Sequence, residues 1–124
     1  ATWCGPCRAA LPHLHETAAW ADEQGMPVKV FTVNVWERSE NPEERRKVAE
    51  TFWKDQGFTL PVLMDYSNET ATAFGVTAIP TTVVIRSDGV IHAQHSGFNG
   101  DQLRADITAA LATLEKPEQP ADTP

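Results

Sequence analysis

The sequence holds only two cysteines in 124 residues, Cys4 and Cys7. Two cysteines make at most one intramolecular disulfide, which excludes a disulfide-stapled scaffold. No apolar run approaches the ~20 residues that a membrane-spanning helix requires. Cationic residues are scarce, with ten Lys and Arg against seventeen Asp and Glu, a net charge of −7. Such a surface repels a nucleic-acid backbone, and the plain consequence of the charge is solubility. The remaining composition, 41% hydrophobic with four Trp, is that of an ordinary globular protein. The length suits one domain with a real core.

The two cysteines stand in the first seven residues, Ala-Thr-Trp-Cys-Gly-Pro-Cys. A Cys-x-x-Cys pair at the mouth of a helix has three common readings: a dithiol redox centre, half of a zinc site, or haem attachment. Haem attachment needs His after the second Cys, and Arg8 stands there. A structural zinc site needs about four ligands at short paired spacings. No second Cys pair exists. His13 and His15 fall on different faces of a helix, and His92 and His95 are far away in the chain. Redox chemistry is the favoured reading. A structural disulfide closing so small a loop would remove little chain entropy.

Hydrophobic spacing predicts a helix over 5–24, with Pro6 in its first turn, Pro12 kinking it and Gly25 ending it. A β-branched and aromatic run predicts a buried strand over 28–35. Asn41 and Pro42 open a second helix that runs to about Gln56, its apolar face being Val48, Ala49, Phe52 and Trp53. A short strand is expected over 60–64, a short helix over 69–74 and a strand over 81–87. Asp88-Gly89 is a hairpin signal, returning the chain as a strand over 90–96. The last helix is expected over 101–114, with Leu103, Ile107, Ala110, Leu111 and Leu114 inward. Residues 116–124 have three prolines and no large apolar residue, and are read as a disordered tail. The order gives an α/β fold, a largely parallel sheet finished by an antiparallel hairpin.

Trp3-Cys4-Gly5-Pro6-Cys7 followed at a distance by Ile79-Pro80-Thr81 resembles the thioredoxin superfamily. Ala-Thr-Trp-Cys-x-x-Cys-Arg at the start, Phe74-Gly75-Val76, Ile79-Pro80-Thr81-Thr82, Ile85 and Asp88-Gly89 are similar to its TlpA/ResA-like branch. The resemblance covers residues 1 to about 114. It implies a three-layer α/β/α sandwich with a mixed sheet, in which the helix at 42–56 and the strand at 61–64 are an insertion. It also implies a central strand running directly into the Cys-x-x-Cys loop, between the strands at 28–35 and 81–87. Only three residues precede Cys4, so that strand is expected to be missing, leaving a thioredoxin-like domain over 1–115 that is N-terminally incomplete.

On this resemblance, Cys4 is the nucleophile of a thiol-disulfide oxidoreductase and Cys7 the resolving thiol. A position at a helix N-terminus favours the thiolate, the attacking species. Pro80 is expected to be cis, and with Ile79, Trp3, Gly5 and Pro6 to form the surface on which a substrate peptide lies. Glu37 is similar in position to a glutamate near the dithiol of ResA-like proteins, where it could move protons for Cys7; its alternative is a solvated loop carboxylate. The implied activity is reduction of disulfides in exported proteins, such as those of cytochrome c maturation, in the periplasm or elsewhere outside the cytoplasm, with the protein soluble or anchored through a segment absent from this sequence. Electrons would come from a membrane or soluble thiol donor. No cofactor, resident metal or nucleic-acid partner is expected, and the protein is read as a monomer unless another chain donates the missing strand. Two alternatives stand beside this reading: a cytosolic thioredoxin-like reductase, and a thioredoxin-fold module that carries copper or zinc on Cys4 and Cys7 without turnover.

Overall fold

The computed structural model describes residues 1–115, with side chains described through Thr113. The expected tail at 116–124 and the inward placing of Leu114 lie outside the described residues. The chain forms two compact units, Ala1–Pro80 and one that starts at Thr81.

The first unit opens with α1, Gly5–Glu23. The backbone of Cys4 is extended, which ends the helix on its N-terminal side, and Pro6 sits in the first turn, where a missing N–H costs nothing. The helix continues through Pro12. At its end Gly25 takes φ +66° and Met26 donates its N–H to the Ala21 carbonyl, a reversal that glycine makes without steric cost. Thr17 and Ala21 are its deeply buried residues beyond the dithiol.

The strand expected over 28–35 shortens to β1, Thr32–Asn34. Its partner is β2, Val62–Met64, parallel and in the register Thr32 with Val62, Val33 with Leu63 and Asn34 with Met64. A strand persists only where a ladder satisfies its backbone, and β2 is three residues long. It starts after Pro61, whose ring has no N–H to give; the Pro61 carbonyl accepts from the Thr32 N–H and hydroxyl. Side chains along β1 invert the usual pattern, with Val33 exposed and Asn34 buried. The Asn34 amide is spent on the site described below.

Between these strands lies α2, Pro42–Gln56. The Asn41 carboxamide oxygen accepts from the N–H groups of Glu43 and Glu44 at 2.9 and 3.3 Å. Ala49 is its buried residue, whereas Val48 is exposed, so the apolar face is narrower than its spacing predicts. Its far end closes on an aromatic cluster. Phe58 meets Trp53 edge-on, and His15 of α1 stacks on Phe58 at 4.4 Å. The Trp53 indole donates to the Leu60 carbonyl at 2.7 Å. His15 is therefore a packing residue. α3, Glu69–Ala73, follows, its first N–H groups taken by the buried Asp65 carboxylate.

The second unit is a hairpin with a helix on it. β3, Thr81–Ile85, pairs antiparallel with β4, Ile91–Ser96, setting Thr82 opposite His95 and Val84 opposite Ala93. The next pair is Ile85 with Ile91, so the register shifts by one residue. Asp88-Gly89 makes the turn, with Gly89 at φ +86°. α4, Gly100–Glu115, packs on the hairpin through Leu103, Ile107 and Ala110, each 6% exposed. Leu111 is only half-buried. The two strand pairs are separate two-stranded sheets. Among the described residues no ladder joins β1 to β3, the two strands between which the resemblance places the central strand that this chain was expected to lack.

Replacing the Asn41 cap with Ala is expected to cost about 1 kcal/mol of stability, and Asn41→Asp to retain most of it. Urea unfolding of both variants measures this, and an unchanged Asn41→Ala midpoint would show that the cap contributes nothing.

Candidate active site

Cys4 is the N-cap of α1, and its sulfur accepts the Cys7 N–H at 3.2 Å. One helical turn separates the two residues, bringing their Cα atoms to 5.2 Å, and they are joined as a disulfide. Both are buried, at 3% and 9% exposure. Sulfur that caps a helix lies against unpaired N–H groups and the positive end of the dipole, an environment that stabilises a thiolate once the bond is reduced.

The Ile79 carbonyl oxygen lies 3.9 Å from the Cys4 sulfur, and the Ile79–Pro80 peptide bond is cis. A pair 75 residues apart in sequence is thus brought to one place within the first unit. Gly5 and Pro6 form the exposed first turn of α1. A Cβ added at Gly5 would meet nothing within 4 Å, so packing does not demand glycine there.

Three consecutive residues after β1 hold the segment that precedes Cys4. Trp36 takes φ +55°, a left-handed backbone that bulky residues adopt only under outside constraint. Its carbonyl accepts the Trp3 indole N–H at 2.8 Å. Glu37 turns inward and is buried. Its carboxylate accepts the Thr2 N–H at 3.0 Å, the Thr2 hydroxyl at 2.5 Å and the Asn34 amide at 2.9 Å. Arg38 lays its guanidinium over the Trp3 ring, 4.9 Å from the centroid. Trp3 keeps 42% of its surface exposed beside Cys4.

Burial would raise the Glu37 pKa, but the hydrogen bonds from Thr2 and Asn34 outweigh it, and the carboxyl is held below its ordinary value. Glu37 is therefore not the solvated loop carboxylate that was its alternative. The residues that sequence reading left out are its partners, Thr2 and Asn34, together with Trp36 as a carbonyl and Arg38 as a ring cover. The sequence signal for them is that each lies within three residues of Trp3 or Glu37. Among the described residues, no group of three or more His, Cys, Asp or Glu side chains is placed to hold a metal ion. Among the same residues, no helix is long and apolar enough to cross a membrane.

A capping cysteine, its partner one turn on and the Ile79 carbonyl, just before a cis-proline, against the sulfur form a thioredoxin-like arrangement. The redoxin family model matches residues 1–111, and the chain belongs to the redoxin family. It is 36% identical over 114 residues to the thiol-disulfide oxidoreductase ResA of Geobacillus thermodenitrificans, covering 92% of this chain and 59% of that protein. It is 28% identical over 104 residues to the sporulation thiol-disulfide oxidoreductase A of Bacillus subtilis, with 83% and 59% covered. The chain thus spans about three fifths of the length of these curated relatives. Among solved structures, it is similar to one described as a thiol:disulfide interchange protein DsbE from Chlorobium tepidum. There the TM-score is 0.71 at 28% identity, covering 88% of this chain and 73% of that one. The match to StoA of Bacillus subtilis has a TM-score of 0.69 at 25% identity, with 85% and 75% covered. The fold is thioredoxin-like.

Because the folded pKa of Glu37 lies below its unfolded value of about 4.3, the folded state binds fewer protons there. Its stabilisation is present above that pH and is lost as pH falls through the folded value. Glu37→Gln is expected to cost about 1–3 kcal/mol at pH 7, with the stabilities of the two proteins converging on acidification. Urea unfolding between pH 7 and pH 3 measures this, and parallel curves would mean that Glu37 is not ionised and held as described.

Proposed function

We propose that this chain is the catalytic part of a thiol-disulfide oxidoreductase, with Cys4 as nucleophile and Cys7 as resolving thiol. The observation that carries the reading is the Cys4 sulfur placed as helix cap, one turn from Cys7 and against the Ile79 carbonyl. In the reduced protein the Cys4 thiolate attacks one sulfur of a substrate disulfide, forming a mixed disulfide and releasing the first substrate thiolate. Cys7, deprotonated, then attacks the Cys4 sulfur. The second substrate thiol leaves, and the protein retains the Cys4–Cys7 disulfide. Two electrons pass from the protein to the substrate, and a thiol donor restores them.

Ile79 and Pro80 offer backbone for short strand-like pairing with a substrate segment, and Trp3, Gly5 and Pro6 supply the surrounding surface. Glu37 acts as a positioning residue: through Thr2 it fixes the chain that leads into Cys4. A direct part in proton transfer to Cys7 would require it first to release Thr2 or Asn34. The similarity to ResA, StoA and DsbE supports a reductase acting on exported proteins outside the cytoplasm. Cysteine pairs of apocytochrome c or of copper-site proteins are substrates of the right chemistry.

Reduction of insulin disulfides by the protein with dithiothreitol tests this reading. Cys4→Ser is expected to abolish it. Cys7→Ser is expected to accumulate a mixed disulfide, visible as added mass. A Cys4–Cys7 potential near ~−270 mV marks a reductase, and one near ~−120 mV an oxidant. Stoichiometric copper or zinc retained through purification, with no Cys4-dependent reduction, would overturn the enzyme reading in favour of a metal carrier.

A further inference from the structure

If the dithiol meets protein disulfides, as proposed above, the residues around it also fix what charge those substrates meet. Two guanidinium groups are held at the residues immediately before Cys4. Arg38 lies over the Trp3 ring, which is itself fixed by its bond to Trp36. Arg8, directly after Cys7, reaches within 3.5 Å of the Thr2 carbonyl and rests 5.0 Å above the Phe52 ring. Both side chains are exposed.

Neither arginine has an ion-pair partner among the described residues. The first turn of α1 carries no acidic residue. Glu37 stands next to Arg38 in sequence but is buried and committed to Thr2 and Asn34. Glu40, two residues beyond, is exposed and pairs with neither arginine. A guanidinium stacked on a ring keeps its N–H edge open and presents a preset fork to a carboxylate. The chain as a whole carries −7, so an acidic partner is disfavoured over much of the surface and accepted beside the dithiol. Attraction at one place and repulsion elsewhere is how charge confers selectivity.

We propose that Arg8 and Arg38 select disulfide substrates whose cysteines are flanked by Asp or Glu side chains. They are specificity residues that touch the substrate's flanks; neither takes part in the exchange itself.

The test uses short peptides with one internal disulfide and Glu, Gln or Lys on both sides of the cysteines. Fluorescent counterparts carry Ser in place of Cys. The reduced protein is expected to reduce the Glu peptide about fivefold faster than the Gln peptide in kcat/KM, with the Lys peptide slowest. The preference should vanish in the Arg8→Gln, Arg38→Gln double variant and, for the unaltered protein, in about 0.5 M salt. Salt dependence needs no variant and so stands even if the double variant folds poorly. Fluorescence anisotropy with the cysteine-free peptides should give the same ranking without turnover. If that ranking holds while no disulfide peptide is reduced, the oxidoreductase reading fails and the charge selection stands. Equal rates and equal binding for all three peptides, or a preference that survives the double substitution, would overturn the proposal.

Discussion

A carboxylate taken out of water must be surrounded by donors or give up its charge. Glu37 meets that requirement with three hydrogen bonds, two from Thr2 and one from Asn34. The bond to Thr2 ties the exit of β1 to the two residues that lead into the dithiol. The neighbouring bond from Trp3 to the Trp36 carbonyl and the Arg38 cover on the Trp3 ring extend the same clamp. The cap position of Cys4 depends on it, because a helix cap is set by the direction in which the chain enters the helix. The left-handed backbone of Trp36 belongs to this arrangement. It turns one carbonyl toward Trp3 and the next side chain toward Thr2, and the bonds so formed hold the residue there. The inverted burial of β1 has the same origin, since Asn34 must face inward to reach Glu37.

With that entry fixed, the chemistry of the sulfur follows from α1. The Cys4 sulfur accepts a helix N–H in a place where other helices use Ser, Thr, Asp or Asn. Cys7 falls one turn further, close enough to pair and buried from solvent. The Ile79 carbonyl lies against Cys4 from a segment 75 residues away in sequence. Supporting groups are of ordinary kinds: an aromatic cluster of His15, Trp53 and Phe58 fastens α1 to the segment after α2. In the second unit, the buried Asp106 is shared between His95 and Gln102. Every buried polar side-chain atom in the described chain has a partner, as a low-dielectric interior demands.

Much of this was legible in the residues. Cys4 and Cys7 pointed to redox chemistry by spacing, Asn41-Pro42 and Asp88-Gly89 marked a helix start and a turn, and the resemblance, not the residues alone, pointed to Ile79-Pro80 as their distant neighbour. Strand lengths were not legible. The run over 28–35 has the composition of a strand throughout, yet only Thr32–Asn34 is one. Strand propensity describes a side chain's fit to a pleated surface, whereas the ladder depends on a partner that lies elsewhere in the chain. His15 illustrates the same limit: nothing local to α1 shows that the return of Phe58 makes it a stacked packing residue.

By itself, then, the sequence determined the cysteine pair, the helix that presents it and the order of the elements, because these rest on spacings of a few residues and on local backbone preference. The tertiary structure alone decided which side chains surround the pair. Glu37 became a buried, ionised acceptor, Thr2 and Asn34 its donors, and Arg8 and Arg38 fixed cations beside Cys4. The reason is physical: the pKa and direction of a charged group depend on the donors, rings and burial supplied by segments remote in sequence, and no local pattern encodes them.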